Sequence, residues 1–172
     1  MRFERDHQAM ITTPTATTRA YGVAAGEGER IWIVADTMTF KATGESTGGS
    51  LVLIENLTAP GGGPPPHLHT REDEFFYVLD GTFEIRIGDE LHPLGPGGVA
   101  FVPRGTAHNF RHTAETASRI LVGFTPGGIE GFFRESGRQA TDDGPAPPLD
   151  ADEIGRTTVA ASKCGLEAVA FD

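Results

Sequence analysis

The chain has 172 residues, with 23 Gly and 12 Pro, and a formal charge of −10 from 24 acidic and 14 basic side chains. That length makes one ordinary domain with a real core, and the acidic balance argues against nucleic acid or an anionic membrane surface as a partner. The single cysteine, Cys164, excludes an internal disulfide and a Cys-rich zinc site, and is read as an inert thiol in a reducing compartment.

The opening MRFERDHQAM is polar and leads into no apolar signal region, and no run is long enough to span a membrane, so a cytoplasmic location is expected. Residues 1–20 include the patternless ITTPTATT and are expected to form a flexible arm, with His7 exposed and Met10 an alternative initiator. One strand-rich domain is expected over 21–137, and a linker, short helix and tail over 138–172.

The run IWIVADTMTF (31–40) is rich in β-branched and aromatic residues and predicts one strand. LVLIENLT (51–58) predicts a second, with an apolar start that implies burial on both faces. The turn APGGGPPP (59–66) follows. Short strands are then predicted over 74–79, 82–87, 90–94, 99–103, 108–112 and 118–124. TFEIRI alternates cleanly, with Phe83, Ile85 and Ile87 on one face. No helix of ten or more residues fits between 30 and 125. Beyond that, Ile129, Phe132 and Phe133 have helical spacing within 128–137. DDGPAPPLD (142–150) reads as an extended linker. Asp150 and Glu153 form a capping box for a helix over about 151–163, with Gly165 placed to end it. The tail LEAVAF (166–171) is compatible with an edge strand or a loose end.

One window carries the chemistry. His67 and His69 are two apart on an extended segment, so both imidazoles leave the same face. Glu74 opens the next strand and shares a face with Phe76 and Val78, where an unpaired carboxylate would be costly unless it meets a cation. His108 follows a turn that Gly105 allows to reverse tightly. Three imidazoles and one carboxylate, with no thiolate, suit a divalent Fe, Mn, Ni, Co or Zn ion with open positions rather than structural zinc. Gly61, Gly62 and Gly63 are not a phosphate loop, because no Lys-Ser/Thr follows.

These residues resemble the two motifs of the cupin superfamily. In the first, Gly61, His67, His69, Glu74 and Gly81 fit every spacing. In the second, Gly97, Pro103, Gly105 and His108 fit, but His112 stands where the motif has Asn. The resemblance implies an all-β fold, a double-stranded β-helix or jelly-roll barrel, with short C-terminal helices added here. It also implies a metal held by His67, His69, Glu74 and His108, and often a homodimer, for which the runs at 31–34 and 51–54 could supply an apolar outer face. Phe76, Phe101, Phe110, Phe124 and His112 are candidates for a pocket suited to a flat apolar small molecule. His112 is read either as orienting a ligand or contacting substrate, or as a rim substitution. His92 is read as an exposed turn residue.

Over most of 26–137 the chain further resembles bacterial single-domain cupins grouped with quercetin 2,3-dioxygenases. This implies a metal-dependent dioxygenase that opens a flavonol or similar enol with dioxygen and loss of carbon monoxide, Glu74 being both ligand and general base. Two alternatives use the same parts: a metal-assisted isomerase, cyclase or decarboxylase acting on an enolisable natural product, and a non-catalytic metal-containing binding cupin.

Overall fold

The protein is described from a computed structural model covering residues 18–171. His7 and most of the expected arm lie outside those residues.

Ten strands lead the chain: β1 (Arg30–Ile33), β2 (Asp36–Ala42), β3 (Val52–Thr58), β4 (His67–His69), β5 (Asp73–Val78), β6 (Phe83–Ile87), β7 (Glu90–Leu94), β8 (Val99–Val102), β9 (His108–His112) and β10 (Ser118–Thr125). Then come α1 (Glu130–Ser136), β11 (Arg138–Gln139), α2 (Ala151–Cys164) and β12 (Leu166–Ala168). The strands form two antiparallel sheets, ordered β11-β1-β2-β3-β10-β5-β8 and β12-β4-β9-β6-β7. This is the jelly-roll arrangement, in which sequence neighbours such as β4 and β5 lie in different sheets. Among the described residues no helix is long and apolar enough to cross a membrane.

The core lies between the sheets. Alternation along each strand sends Val52 and Ile54, Phe76 and Val78, Phe83 and Ile85, and Ile120 and Val122 inward. At roughly 1.5–3 kcal/mol for each large apolar side chain buried, this inner layer is the main favourable term in folding. β3 buries only one face fully, since Leu53, Glu55 and Leu57 stay half-exposed between buried neighbours. The expectation of burial on both faces is corrected by that alternation.

The predicted strand over 31–40 is two strands. Chain reversal falls at Val34 and Ala35, both with positive φ (53° and 62°), as a two-residue hairpin of this kind demands. Val is β-branched and disfavoured there. The turn is held from outside: the carboxylate of Glu153 in α2 accepts a hydrogen bond from the Val34 amide. Asp150 caps α2 by accepting from the Glu153 amide at 2.8 Å, and Gly165 ends the helix with φ 79°.

The C-terminal segment closes onto the barrel. The linker crosses the outer face of β2, where Thr37 Oγ1 donates to the Gly144 carbonyl at 2.7 Å. α2 packs on α1. β12 pairs with β4, placing Leu166 opposite His69 and Ala168 opposite His67. Of the two readings of LEAVAF, the edge strand is the one observed. Exposed apolar side chains gather on the outer faces of β5 and β8, at Tyr77, Val99 and Phe101, rather than at 31–34, where Ile31 and Ile33 are buried.

Candidate metal centre

The Gly-Pro turn before β4 is shaped by close backbone approach. Gly63 has φ 136°, and a Cβ there would meet the Phe110 carbonyl at 2.1 Å. Gly61 and Gly62 exchange backbone hydrogen bonds with His112 on β9, at 3.2 and 2.9 Å. The chain is thereby delivered to β4, which pairs with β9 so that His67 faces His108. His67, His69 and His108 come from one sheet. Glu74, at the start of β5, comes from the other.

One ligand atom from each of these four residues can be chosen so that all lie within 4.8 Å of one another. Glu74 Oε2 stands 2.6 Å from His108 Nε2 and 3.2 Å from His69 Nε2. His67 and His108 each place Nδ1 2.9 Å from a backbone carbonyl, of Pro65 and Thr106. With an ion bound, each carbonyl would fix Nδ1 as the protonated nitrogen and leave the Nε2 lone pair to the ion. The carboxylate of Glu72 lies 3.7 Å from His69 Nδ1, close enough to favour positive charge on the ring but too far for a hydrogen bond. The donor set and the outer hydrogen bonds therefore fit a divalent transition ion. Among the described residues this is the only such cluster.

Without an ion, the cluster is held by protons. Burial opposes charge on Glu74, but hydrogen bonds from His108 and His69 outweigh it and bring its carboxyl down to about 2. Burial also disfavours a charged His69, but the carboxylates of Glu72 and Glu74 hold that ring up at about 9. His67 goes the other way, to about 4, mainly through burial.

Three of the four, His67, His69 and Glu74, form part of the wall of a cavity of about 340 Å³. Of the pocket candidates, Phe110 and Phe124 line it, and Phe124 packs 5.4 Å from His69. Phe76 lies behind the wall, edge-on to His108 and Phe110, and holds their rings in place. Phe101 is not in the cavity: it is 55% exposed, because Ala100 and Val102 are the inward residues of β8. His112 is not at the rim either. It is buried, with Nδ1 3.1 Å from the Ala59 carbonyl and its ring 4.9 Å from Phe83. It anchors the turn before the ligands, a task that polar hydrogen bonding suits. His92 is half-exposed beside Glu90.

Other lining residues were not singled out by sequence: Asp36 and Asn56 on β2 and β3, Phe132 and Phe133 on α1, and Thr157 and Ala161 on α2. The helical spacing of Phe132 and Phe133 marked an apolar face, but nothing local says which surface it covers.

Residues 57–124 match the Cupin_2 family model, a cupin domain. That stretch is similar to a cupin domain and forms the centre of the jelly-roll fold. It is 27% identical over 123 residues to the polyketide synthase CurC of Streptomyces cyaneus, covering 70% of this chain and 79% of that one. It is 30% identical over 120 residues to the quercetin 2,3-dioxygenase of Aspergillus japonicus, covering 64% and 34%. The structure of KdgF from Halomonas sp. superposes with a TM-score of 0.57 at 22% identity, covering 66% of this chain and 98% of that one, a likeness of fold. The chain spans about half the length of several curated relatives it matches.

Proposed function

We propose that His67, His69, Glu74 and His108 hold one divalent transition ion, and that the protein is a metal-dependent cupin oxygenase acting on a flavonol or a similar enolic aromatic. The observation that carries this reading is that His67, His69 and Glu74 of the cluster line an apolar cavity that Phe110 and Phe124 also line. Such an ion would supply Lewis acidity toward the enol oxygen and open positions for substrate and dioxygen.

The chain's own groups do the rest. Phe110 and Phe124 present apolar surface to a flat ring, and the largely apolar wall strengthens any charge interaction within the cavity. Glu74 takes the enol proton. To do so it must be released from the N–H donors of His69 and His108 that now hold its carboxyl near 2. Coordination through Nε2 would leave neither imidazole an N–H to donate there, which frees the Glu74 carboxylate to meet the enol proton. His67 and His108, fixed by the carbonyls of Pro65 and Thr106, keep their orientation throughout.

The match to the polyketide synthase CurC spans more of both chains than the match to the quercetinase. It favours a second reading, in which the same site and the same proton transfer serve a metal-assisted cyclase, isomerase or decarboxylase without dioxygen. An oxygen electrode and a carbon monoxide assay on the metal-loaded protein with flavonols separate the two. Oxygen uptake with matched carbon monoxide release is expected. Product formed at the same rate without oxygen would replace the oxygenase by the second reading.

A further inference from the structure

The cavity has a polar patch that the metal cluster does not use. Asp36 and Asn56 are both nearly fully buried, at 1% and 0% exposure, and both line the cavity wall. Asn56 Nδ2 donates to Asp36 Oδ2 at 2.8 Å, which leaves Asp36 Oδ1 and Asn56 Oδ1 without a partner. A third cavity-lining residue, Thr157 on α2, also has a buried, unpartnered hydroxyl. It lies one helical turn beyond Glu153, which holds the strained Val34-Ala35 turn directly before Asp36. Orphaned polar atoms in a core are costly, and strain that persists beside them marks a site rather than a scaffold.

We propose that Asp36, Asn56 and Thr157 form a second recognition site that reads a hydroxyl group at the end of the substrate remote from the metal. This rests on the reading of the cavity as the place of a flat aromatic substrate, and it names the feature such a substrate carries. Asn56 Oδ1 can only accept, so its partner must donate, which selects a hydroxyl over a carbonyl or an ether. The hydroxyl oxygen can in turn accept from Thr157 or from a protonated Asp36. Burial pushes the Asp36 carboxyl up to about 7 against the hydrogen bonds from Asn56 and Thr58, so its neutral form is well populated at neutral pH. A neutral phenolic or alcoholic group is matched there, whereas an anion such as a carboxylate or phosphate is not.

The register sets the spacing. Along β10, Phe124 lies opposite Glu74, and Ile120 lies opposite Asn56, four positions away. At about 3.3 Å per residue this is on the order of 13 Å along the strands. A ligand that bridges the two sites is therefore a polycyclic aromatic with its enol at one end and a hydroxyl at the other, not a single ring.

The test uses the protein as purified and two small probes, naphthalene and β-naphthol, which differ by one hydroxyl. Binding is measured by calorimetry for the wild type, for Asn56→Leu and for His67→Ala with His69→Ala. β-Naphthol should bind the wild type at least tenfold more tightly than naphthalene. That preference should vanish in Asn56→Leu and survive in the histidine double variant. A preference that survives in Asn56→Leu, or is lost only with the histidines, means that the hydroxyl goes to the metal and overturns the proposal. Equal binding of the two probes, or binding of neither, overturns it as well. Should Asn56→Leu not fold, Asp36→Val with Asn56→Leu carries the same test, because no buried polar atom of the pair is left behind. That double variant should also unfold at no lower temperature than the wild type; a large loss of stability would mark the pair as structural. None of these readouts involves turnover, so a failed oxygen assay counts against the oxygenase reading alone.

Discussion

At the metal end of the cavity the side chains are already tied to one another; at the Asp36 end they are not. Glu74 accepts from two imidazoles, and His67 and His108 are each fixed by a carbonyl. Asp36, Asn56 and Thr157 keep oxygens with no partner. The His/Glu end is preorganised around charge, with outer hydrogen bonds that would set which nitrogen faces an ion. The other end holds neutral groups whose hydrogen bonds are completed only by something that enters. The two ends should therefore respond differently to mutation and to pH.

The largest difference is expected from Glu74→Ala. It removes a ligand and the proposed base together, so turnover should fall by about 10²–10⁴, the usual worth of a positioned acid or base. Metal should still bind through the three histidines, but more weakly. Full activity in this variant on a confirmed substrate would remove Glu74 from the chemistry.

Glu153→Ala addresses the Asp36 end from behind. Glu153 is buried and accepts from the Val34 amide. Its loss leaves that amide unsatisfied beside a strained turn, at a cost of about 1–3 kcal/mol in chemical denaturation. Metal content should not change. A variant of wild-type stability would show that α2 does not hold the turn.

The remaining predictions concern pH. His69 is held at about 9 in the absence of an ion, so binding a metal through its Nε2 must expel a proton at any lower pH. Apparent metal affinity should drop by up to about tenfold for each unit of pH below that value, a slope of one proton. A competition titration at several pH values reads it directly, and a flat profile would contradict the protonated His69. At the other end, Asp36 is raised from its ordinary 3.8 to about 7. The folded protein keeps a proton there that the unfolded chain has lost, so this group's contribution to stability falls as pH rises between those values. Relative to Asp36→Asn, the wild type should lose at most about 1.4 kcal/mol per pH unit across that window and nothing further above it. Parallel stability profiles for the two proteins would show that Asp36 titrates normally.

The same contrast explains what the sequence could disclose. Three of the four proposed ligands lie within residues 67–74 and all are of unusual type, so spacing and the resemblance to the cupin motifs marked His67, His69, Glu74 and His108. Strand alternation in TFEIRI and the capping pair Asp150 and Glu153 were equally local, and both are observed. The hairpin at Val34-Ala35 was not legible because neither residue is a turn former; a distant carboxylate, Glu153, holds it. Phe101 was placed in the pocket because VAFVP alternates without revealing its parity, which the pairing of β8 with β5 decides. The Asp36 patch was invisible for the same reason. Asp36, Asn56 and Thr157 are far apart in sequence, and only the return of α2 to the barrel brings Thr157 to the same cavity wall.

The central claim is a single ion held by four side chains from both sheets. Elemental analysis of the purified wild type beside His67→Ala with His69→Ala tests it most directly. One equivalent of a divalent transition metal per chain in the wild type, and none in the double variant, is the predicted result. Wild-type metal content in the double variant, or a wild type that takes up no such ion when supplied, would contradict it.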